Sequence, residues 1–256
     1  MGRRNHIYPP FMESGILLVD KPADWTSHDV VSFVRGRFNI KKVGHCGTLD
    51  PAATGLLILV LGKATKISQK LSSDNKTYQS TMLLGTETDS QDMDGTVTAT
   101  HDYNNITPEE ITLSIKKFIG GIMQTPPMVS AKKIDGKRLY KLAREGKEVE
   151  RQPVPITIHD IKIDSINIPH VYFTVSCSKG TYIRTLCYDI GKDLGCGAAL
   201  FNLRRTHSGI FNSDASFSIP TIKEWNQENL AKNILWTNNI ELINILKKDS
   251  TQGCEF

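Results

Sequence analysis

Six consecutive apolar residues, Leu56-Leu57-Ile58-Leu59-Val60-Leu61, follow directly on a loop that no regular element can absorb. The run is far shorter than the roughly 20 residues needed to cross a bilayer, and it has the length of a strand buried on both faces. The stretch before it, Gly44-His45-Cys46-Gly47-Thr48-Leu49-Asp50-Pro51-Ala52-Ala53-Thr54-Gly55, sets one carboxylate among glycines and a proline. Glycine reaches backbone angles closed to other residues and proline fixes its own φ. The segment therefore reads as a rigid, sharply turned loop on the edge of a core, with Asp50 at the turn. Two readings are open for that residue. Asp-Pro pairs start turns routinely, and composition alone favours this; the other is a carboxylate held still for a substrate.

The rest of the chain supplies strands and helices to enclose that core. Residues 15–19 read as a buried strand closed by Asp20-Lys21-Pro22, and Thr26 or Ser27 caps a helix reaching about Phe38. Arg35, Arg37, Lys41 and Lys42 at its tail are solvated charges, or suit backbone phosphates. Tyr78, Ser80, Met82 and Leu84 share one face of a strand. Residues 107–119 read as a helix, with Pro108 in its first turn and Glu109 and Glu110 favouring the N-terminal dipole. Strands are expected at 156–161 and 171–177. A helix follows with the stripe Ile183, Leu186, Cys187 and Ile190, stopped by Gly191. Arg184 lies beside that stripe and needs a partner, because an unpaired buried charge is very costly. Two more helices are expected near 221–236 and 239–247, and residues 1–14 read as a loose leader.

Several chemistries fall away on spacing. The five cysteines are odd in number and scattered, without a C-x-x-C pair, which argues for reduced thiols in a cytoplasm. His45-Cys46 has no second pair at ligand spacing, so no metal is expected. Gly62-Lys63-Ala64-Thr65 has Ala64 where a phosphate loop needs its metal-binding hydroxyl. Asp89, Asp92, Asp94 and Gly95 suggest a calcium loop, but Ser90 and His101 occupy its first and last ligand positions. No apolar stretch backs the N-terminal arginines, so neither a secretory signal nor a membrane partner is expected. The formal net charge is +4, and between Lys132 and Arg151 eight Lys or Arg face four Asp or Glu. A basic patch on a nearly neutral body favours a polyanionic partner.

The motif G-H-x-G-T-L-D-P-x-A-T-G-L-L resembles the active-site signature of the TruB family of tRNA pseudouridine synthases. Gly15-Ile16-Leu17-Leu18-Val19-Asp20-Lys21-Pro22, Lys76-Thr77-Tyr78, Gln124-Thr125-Pro126-Pro127-Met128, Lys179-Gly180-Thr181-Tyr182-Ile183-Arg184 and Leu203-Arg204-Arg205 resemble its other blocks, in the family's order. The resemblance spans about residues 15–209. It implies an α/β (α+β) pseudouridine synthase fold: a central mixed, largely antiparallel sheet flanked by helices and loops, with an inserted basic RNA-binding lobe. The catalytic domain is expected at 15–210 with the basic element at about 125–152. Residues 211–256 are expected to form a short helical extension in place of the PUA-type domain many members carry.

Turning uridine into pseudouridine breaks the glycosidic bond, rotates the base and rejoins it through carbon 5. No redox step or group donor is needed, so no cofactor is expected, and a carboxylate nucleophile suffices. The resemblance assigns that role to Asp50, attacking C1′ or the base, and makes Arg184 the guanidinium that keeps it ionised. The target base must flip into the pocket. The resemblance sets Tyr78 against the flipped base, Tyr182 and Leu203 along the pocket and His45 against the RNA. On its own, a tyrosine at a strand's entrance packs into a core or stacks on a base. Lys132 belongs to the basic lobe, which grips RNA or is simply a soluble basic helix. Lys21 belongs to the K-P turn, with a phosphate contact as the alternative. The implied partner is the T-arm of tRNA, met by a monomer without guide RNA. Alternatives are the catalytic subunit of a guide-RNA-directed complex, or a tRNA-folding helper whose catalysis is vestigial.

Overall fold

The computed structural model describes residues 8–128 and 149–236, with the backbone alone of 133–134 and 137–138 between them. The chain forms two compact units, Met1–Asp74 with Thr206–Phe256, and Asn75–Arg205. The first begins with β1 (Gly15–Lys21), α1 (Ser27–Arg37), β2 (Val43–Cys46), β3 (Thr54–Leu61) and α2 (Ser68–Ser72). The second opens with β4 (Lys76–Leu84), β5 (Thr86–Thr88), β6 (Val97–Thr100), α3 (Pro108–Lys116) and β7 (Gly120–Gln124). Its short pair β8 (Lys133–Ile134) and β9 (Lys137–Arg138) precedes β10 (Val154–Asn167), β11 (His170–Cys177), α4 (Ile183–Leu194) and β12 (Ala198–Ser208). The chain returns to the first unit for β13 (Phe211–Asn212), β14 (Phe217–Ser218), α5 (Ile219–Glu224), α6 (Gln227–Asn233) and β15 (Leu235–Trp236).

The apolar run is β3, and its lack of alternation has a direct cause. All six of its residues from 56 to 61 are 0% exposed. Leu57, Leu59 and Leu61 enter a cluster with Leu17 and Val19 of β1, Val30 and Val34 of α1, and Phe38 just after it. Leu56, Ile58 and Val60 enter a second cluster with Ile16, Leu18, Leu71 and Phe211. A strand covered on both faces has no polar side to show. In register, β1 runs antiparallel to β3 and β2 runs antiparallel along the same strand, while β14 pairs parallel with β1. In the second unit the order is β12-β4-β11-β10-β7. Its β4–β11, β11–β10 and β10–β7 pairs are antiparallel. The mixed, largely antiparallel sheet expected from the resemblance is present.

Threonine caps open two of the helices. Thr26 closes a capping box with Asp29 at the start of α1, and Thr107 does the same with Glu110 at α3. On β4, Tyr78, Ser80, Met82 and Leu84 are all buried, as one face should be.

Four expectations need correction. Gly191 does not stop its helix: α4 runs through it to Leu194, and Gly195, with φ 77°, makes the left-handed cap. Gly191 serves close approach, since a Cβ there would run into the backbone of Gly197 and Ala198. The helix expected near 221–236 is two short ones. Trp225 turns extended and Asn226 opens a new capping box with Asn229, while Leu235–Trp236 leaves helix altogether and pairs with β1. Strand β10 continues past Ile161 to Asn167, because bulges after Ile158 and Ile163 break the alternation that would have announced it. Part of the expected leader is tied down: Phe11 is buried in the first cluster and its N–H donates to the Asn39 carbonyl. Most of the basic lobe around Lys132 and the helix expected at 239–247 lie outside the described residues, except that β8 and β9 pair antiparallel.

Candidate active site

Asp50 stands in the turn joining β2 to β3, and its neighbours on both sides are fastened to the body of the first unit. On the N-terminal side, the Leu49 N–H donates to the Ser27 hydroxyl at 2.9 Å, and that hydroxyl reaches the Leu49 carbonyl at 3.2 Å. Leu49 itself is 3% exposed, so its side chain anchors the loop as well. On the C-terminal side the Pro51 carbonyl accepts from the Asp24 N–H at 3.0 Å and from the Lys21 ammonium at 2.9 Å. The Ala53 N–H closes the turn onto the Asp50 carbonyl at 3.1 Å. Gly47 and Gly55, with φ 85° and 96°, supply the left-handed bends at either end. The half-buried carboxyl of Asp50 is thus carried on a backbone with little freedom, the arrangement a reacting group needs.

Lys21 explains how the turn is paid for in charge. It is 0% exposed, and besides Pro51 its ammonium donates to the carbonyls of Trp25 at 2.6 Å and Pro22 at 2.8 Å. All three acceptors are backbone carbonyls, so the ammonium ties the K-P turn to the Asp50 loop. His45 lies on β2 opposite Leu59 and is half-buried.

In the second unit, Tyr78 is buried on β4 opposite Val175 of β11. Tyr182 is the N-cap residue of α4, and Arg184 occupies the first turn with 3% exposure. Its guanidinium carbon lies 5.8 Å from the centre of the Tyr182 ring. A carboxylate meets Arg184 within this unit: Asp92, with Nη1 to Oδ2 at 3.5 Å. That separation is an ion pair more than a good hydrogen bond. Asp92 is itself fixed, with Oδ1 accepting from the Ser90 hydroxyl and the Asp94 N–H, and its carbonyl accepting from the Thr88 hydroxyl at 2.6 Å. Next to it Gln91, at φ 67°, accepts from the Thr185 hydroxyl at 2.7 Å. Leu203 sits half-buried on β12.

His45, Asp50 and Lys21 therefore belong to the first unit, and Tyr78, Tyr182, Arg184 and Leu203 to the second. Lys132 lies outside the described residues. Sequence reading missed Ser27, Asp24 and Asp92 as supports. Asp92 carries a signal in the acid-rich turn around it, which fails as a calcium loop and leaves its carboxylates without an assigned partner. Ser27 carried none, because its partner is 22 residues away in sequence. No group of three or more His, Cys, Asp or Glu among the described residues could hold a metal ion, and no described helix is long and apolar enough to cross a membrane.

Comparison with known proteins sets the class. Residues 35–183 match the family model for the N-terminal domain of the TruB family of pseudouridylate synthases. Residues 184–240 match that for the tRNA pseudouridylate synthase B C-terminal domain, which takes in Arg184 and most of the region expected as an extension. The chain is built as a pseudouridylate synthase. It is 48% identical over 210 residues to the tRNA pseudouridine synthase B of Syntrophotalea carbinolica, covering 82% of this chain and 69% of that one. Against its counterpart in Clostridium acetobutylicum the identity is 50% over 223 residues, 86% of this chain and 75% of that one. Among solved structures, a Cbf5-Nop10-Gar1 complex aligns with TM-score 0.66 at 31% identity, over 82% of this chain and 54% of that chain. The chain belongs to the TruB family.

Proposed function

We propose that this protein is a tRNA pseudouridine synthase that isomerises the T-loop uridine conventionally numbered 55, with Asp50 as its nucleophile and Arg184 as its cationic partner. The bond from C1′ to N1 breaks, the uracil turns, and a bond from C1′ to C5 forms. C5 gives up its hydrogen and N1 gains one, so atoms balance without a donor or an oxidant. The observation that carries the reading is the Asp50 turn, fastened on one side through Ser27 and on the other through Lys21 and Asp24. A carboxylate kept in place needs no reorganisation when the nucleotide arrives. Tyr78 stacks on the flipped base, Tyr182 and Leu203 line its pocket, and His45 faces the RNA. Relatives of 48–50% identity that are named tRNA pseudouridine synthase B support tRNA as the substrate.

The enzyme acts as a monomer in the cytoplasm and reads its tRNA without a guide RNA. Among the described residues, four buried thiols outside any disulfide, Cys46, Cys177, Cys187 and Cys196, support a reducing compartment. Burial pushes the Cys177 thiol up to about 11, so it stays protonated and unreactive at neutral pH. The test is to incubate the purified chain alone with unmodified tRNA and map pseudouridine. Conversion confined to the T-loop position supports the reading; conversion elsewhere, or only with an added guide RNA, overturns it.

A further inference from the structure

The first turn of α4 carries Arg184, yet its N-cap residue, Tyr182, has no side chain capable of capping and makes no side-chain cap bond. Its backbone is held from outside the helix. Gln124, the last residue of β7, is 1% exposed, and its amide spans Tyr182 in both directions. The Gln124 Nε2 donates to the Tyr182 carbonyl at 3.0 Å, and the Tyr182 N–H donates to Oε1 at 2.8 Å. The side chain mimics a strand neighbour, with one donor and one acceptor of the same amide spanning the residue. The segment so held is short: Thr181 bonds back to the Ser178 carbonyl, Gly180 has φ 81°, and Ile183 starts the helix. A buried amide between a sheet edge and this turn therefore sets where the Tyr182 ring and the Arg184 guanidinium stand.

We propose that Gln124 is a positioning residue for catalysis, acting through Tyr182 and Arg184 without touching the nucleotide. The inference rests on the functional reading above. Fixing a reacting group's supports to well under 1 Å matters, because misplacement on that scale costs about 100-fold in rate. A residue with only a structural role would lower stability and leave the rate per folded molecule unchanged.

The experiment uses the full chain and unmodified tRNA, with single-turnover rates, tRNA affinity and amide exchange at Tyr182 measured together. Gln124→Met keeps the side-chain volume and removes both bonds. Its rate, per folded molecule, is expected to fall about 10- to 100-fold with tRNA affinity unchanged within about twofold, while the Tyr182 amide exchanges faster. Gln124→Glu gives a second reading. When protonated, its O–H donates to the Tyr182 carbonyl and its C=O accepts from the Tyr182 N–H, restoring the pattern. When ionised, it confronts the carbonyl with negative charge. Burial raises such a carboxyl's pKa, so the ratio of variant to parent rate should climb as pH falls. A parent-like rate for Gln124→Met, a loss lying wholly in affinity, or a pH-independent ratio for Gln124→Glu overturns the proposal. If the parent converts no uridine, the functional reading fails and the catalytic role falls with it. Tyr182 exchange still reports on the bonds themselves.

Discussion

Replacing Lys21 with methionine removes a cation while leaving most of its stem in place, and the consequences can be worked from its three bonds. The ammonium is 0% exposed and donates to the carbonyls of Pro22, Trp25 and Pro51 at 2.6 to 2.9 Å. Hydrogen bonds to a charged group are worth about 1.5–3 kcal/mol each, but their sum overstates the loss, because removing the charge also removes its desolvation penalty. The variant leaves three carbonyls short of a donor, at about 1–3 kcal/mol for each buried acceptor left unsatisfied; with the relieved desolvation set against that, the expected loss for Lys21→Met is about 3–5 kcal/mol. It corresponds to a fall of roughly 6–20 °C in Tm, at about 2–4 °C per kcal/mol for a chain of this size. The assay is a urea titration of parent and variant followed by tryptophan fluorescence. A single-turnover measurement at low temperature, where the variant is still folded, reads the second consequence. With the Pro51 carbonyl released, the Asp50 turn loses one of its fastenings and the rate should fall about tenfold or more. A stability loss below about 1 kcal/mol, together with a parent-like rate, would refute the role given to this ammonium.

Other perturbations separate the remaining contacts. Gly191→Ala drives a methyl into the backbone of Gly197 and Ala198 and should destabilise by about 1–3 kcal/mol or more. Gly36→Ala, with nothing within 4 Å of the new carbon, should be neutral or stabilising by up to about 1 kcal/mol; equal melting temperatures for the two would contradict the packing argument. Asp92→Asn keeps the side chain's shape and removes the charge facing Arg184, so both stability and turnover should fall while tRNA affinity holds. Unchanged urea midpoints and rates would show that Arg184 does not depend on it. Asp189 reports on pH: burial pushes its carboxyl from 3.8 up to about 6, with Lys192 opposing. The folded state therefore binds this proton more tightly than the unfolded chain, and stability falls as pH rises between about 4 and 6. Asp189→Asn removes that slope, so its advantage over the parent should grow across this window and level off above it. A constant difference in Tm from pH 4 to pH 7 would contradict the assignment.

Much of the frame could be read from local chemistry. The double burial of β3 follows from its unbroken apolar run, and α1 and α3 begin where a threonine stands three residues before an acid. What stayed hidden was set by partners distant in sequence. Gly191 looks like a helix stop until β12 is seen lying against it, and the true stop, Gly195, comes four residues later. The division at Trp225 reflects that ring packing on Phe217, 4.7 Å between centres, which the helical pattern through 221–236 does not reveal. The same holds for the site. The glycines and proline around Asp50 mark its loop as a rigid turn, while the role of its carboxylate comes from the family resemblance. Its fastenings are ordinary groups whose importance lies only in where the fold delivers them: a hydroxyl on α1, an ammonium on β1 and the Asp24 backbone N–H between the two.

The most direct measurement is the release of tritium from carbon 5 of uridine in tRNA, comparing the parent chain with Asp50→Asn at equal bound tRNA. The parent should release one equivalent from the T-loop position, and the variant essentially none despite binding the same RNA. Release by Asp50→Asn within about tenfold of the parent rate, little more than 1.4 kcal/mol in the barrier, would mean the chemistry does not run through this carboxylate.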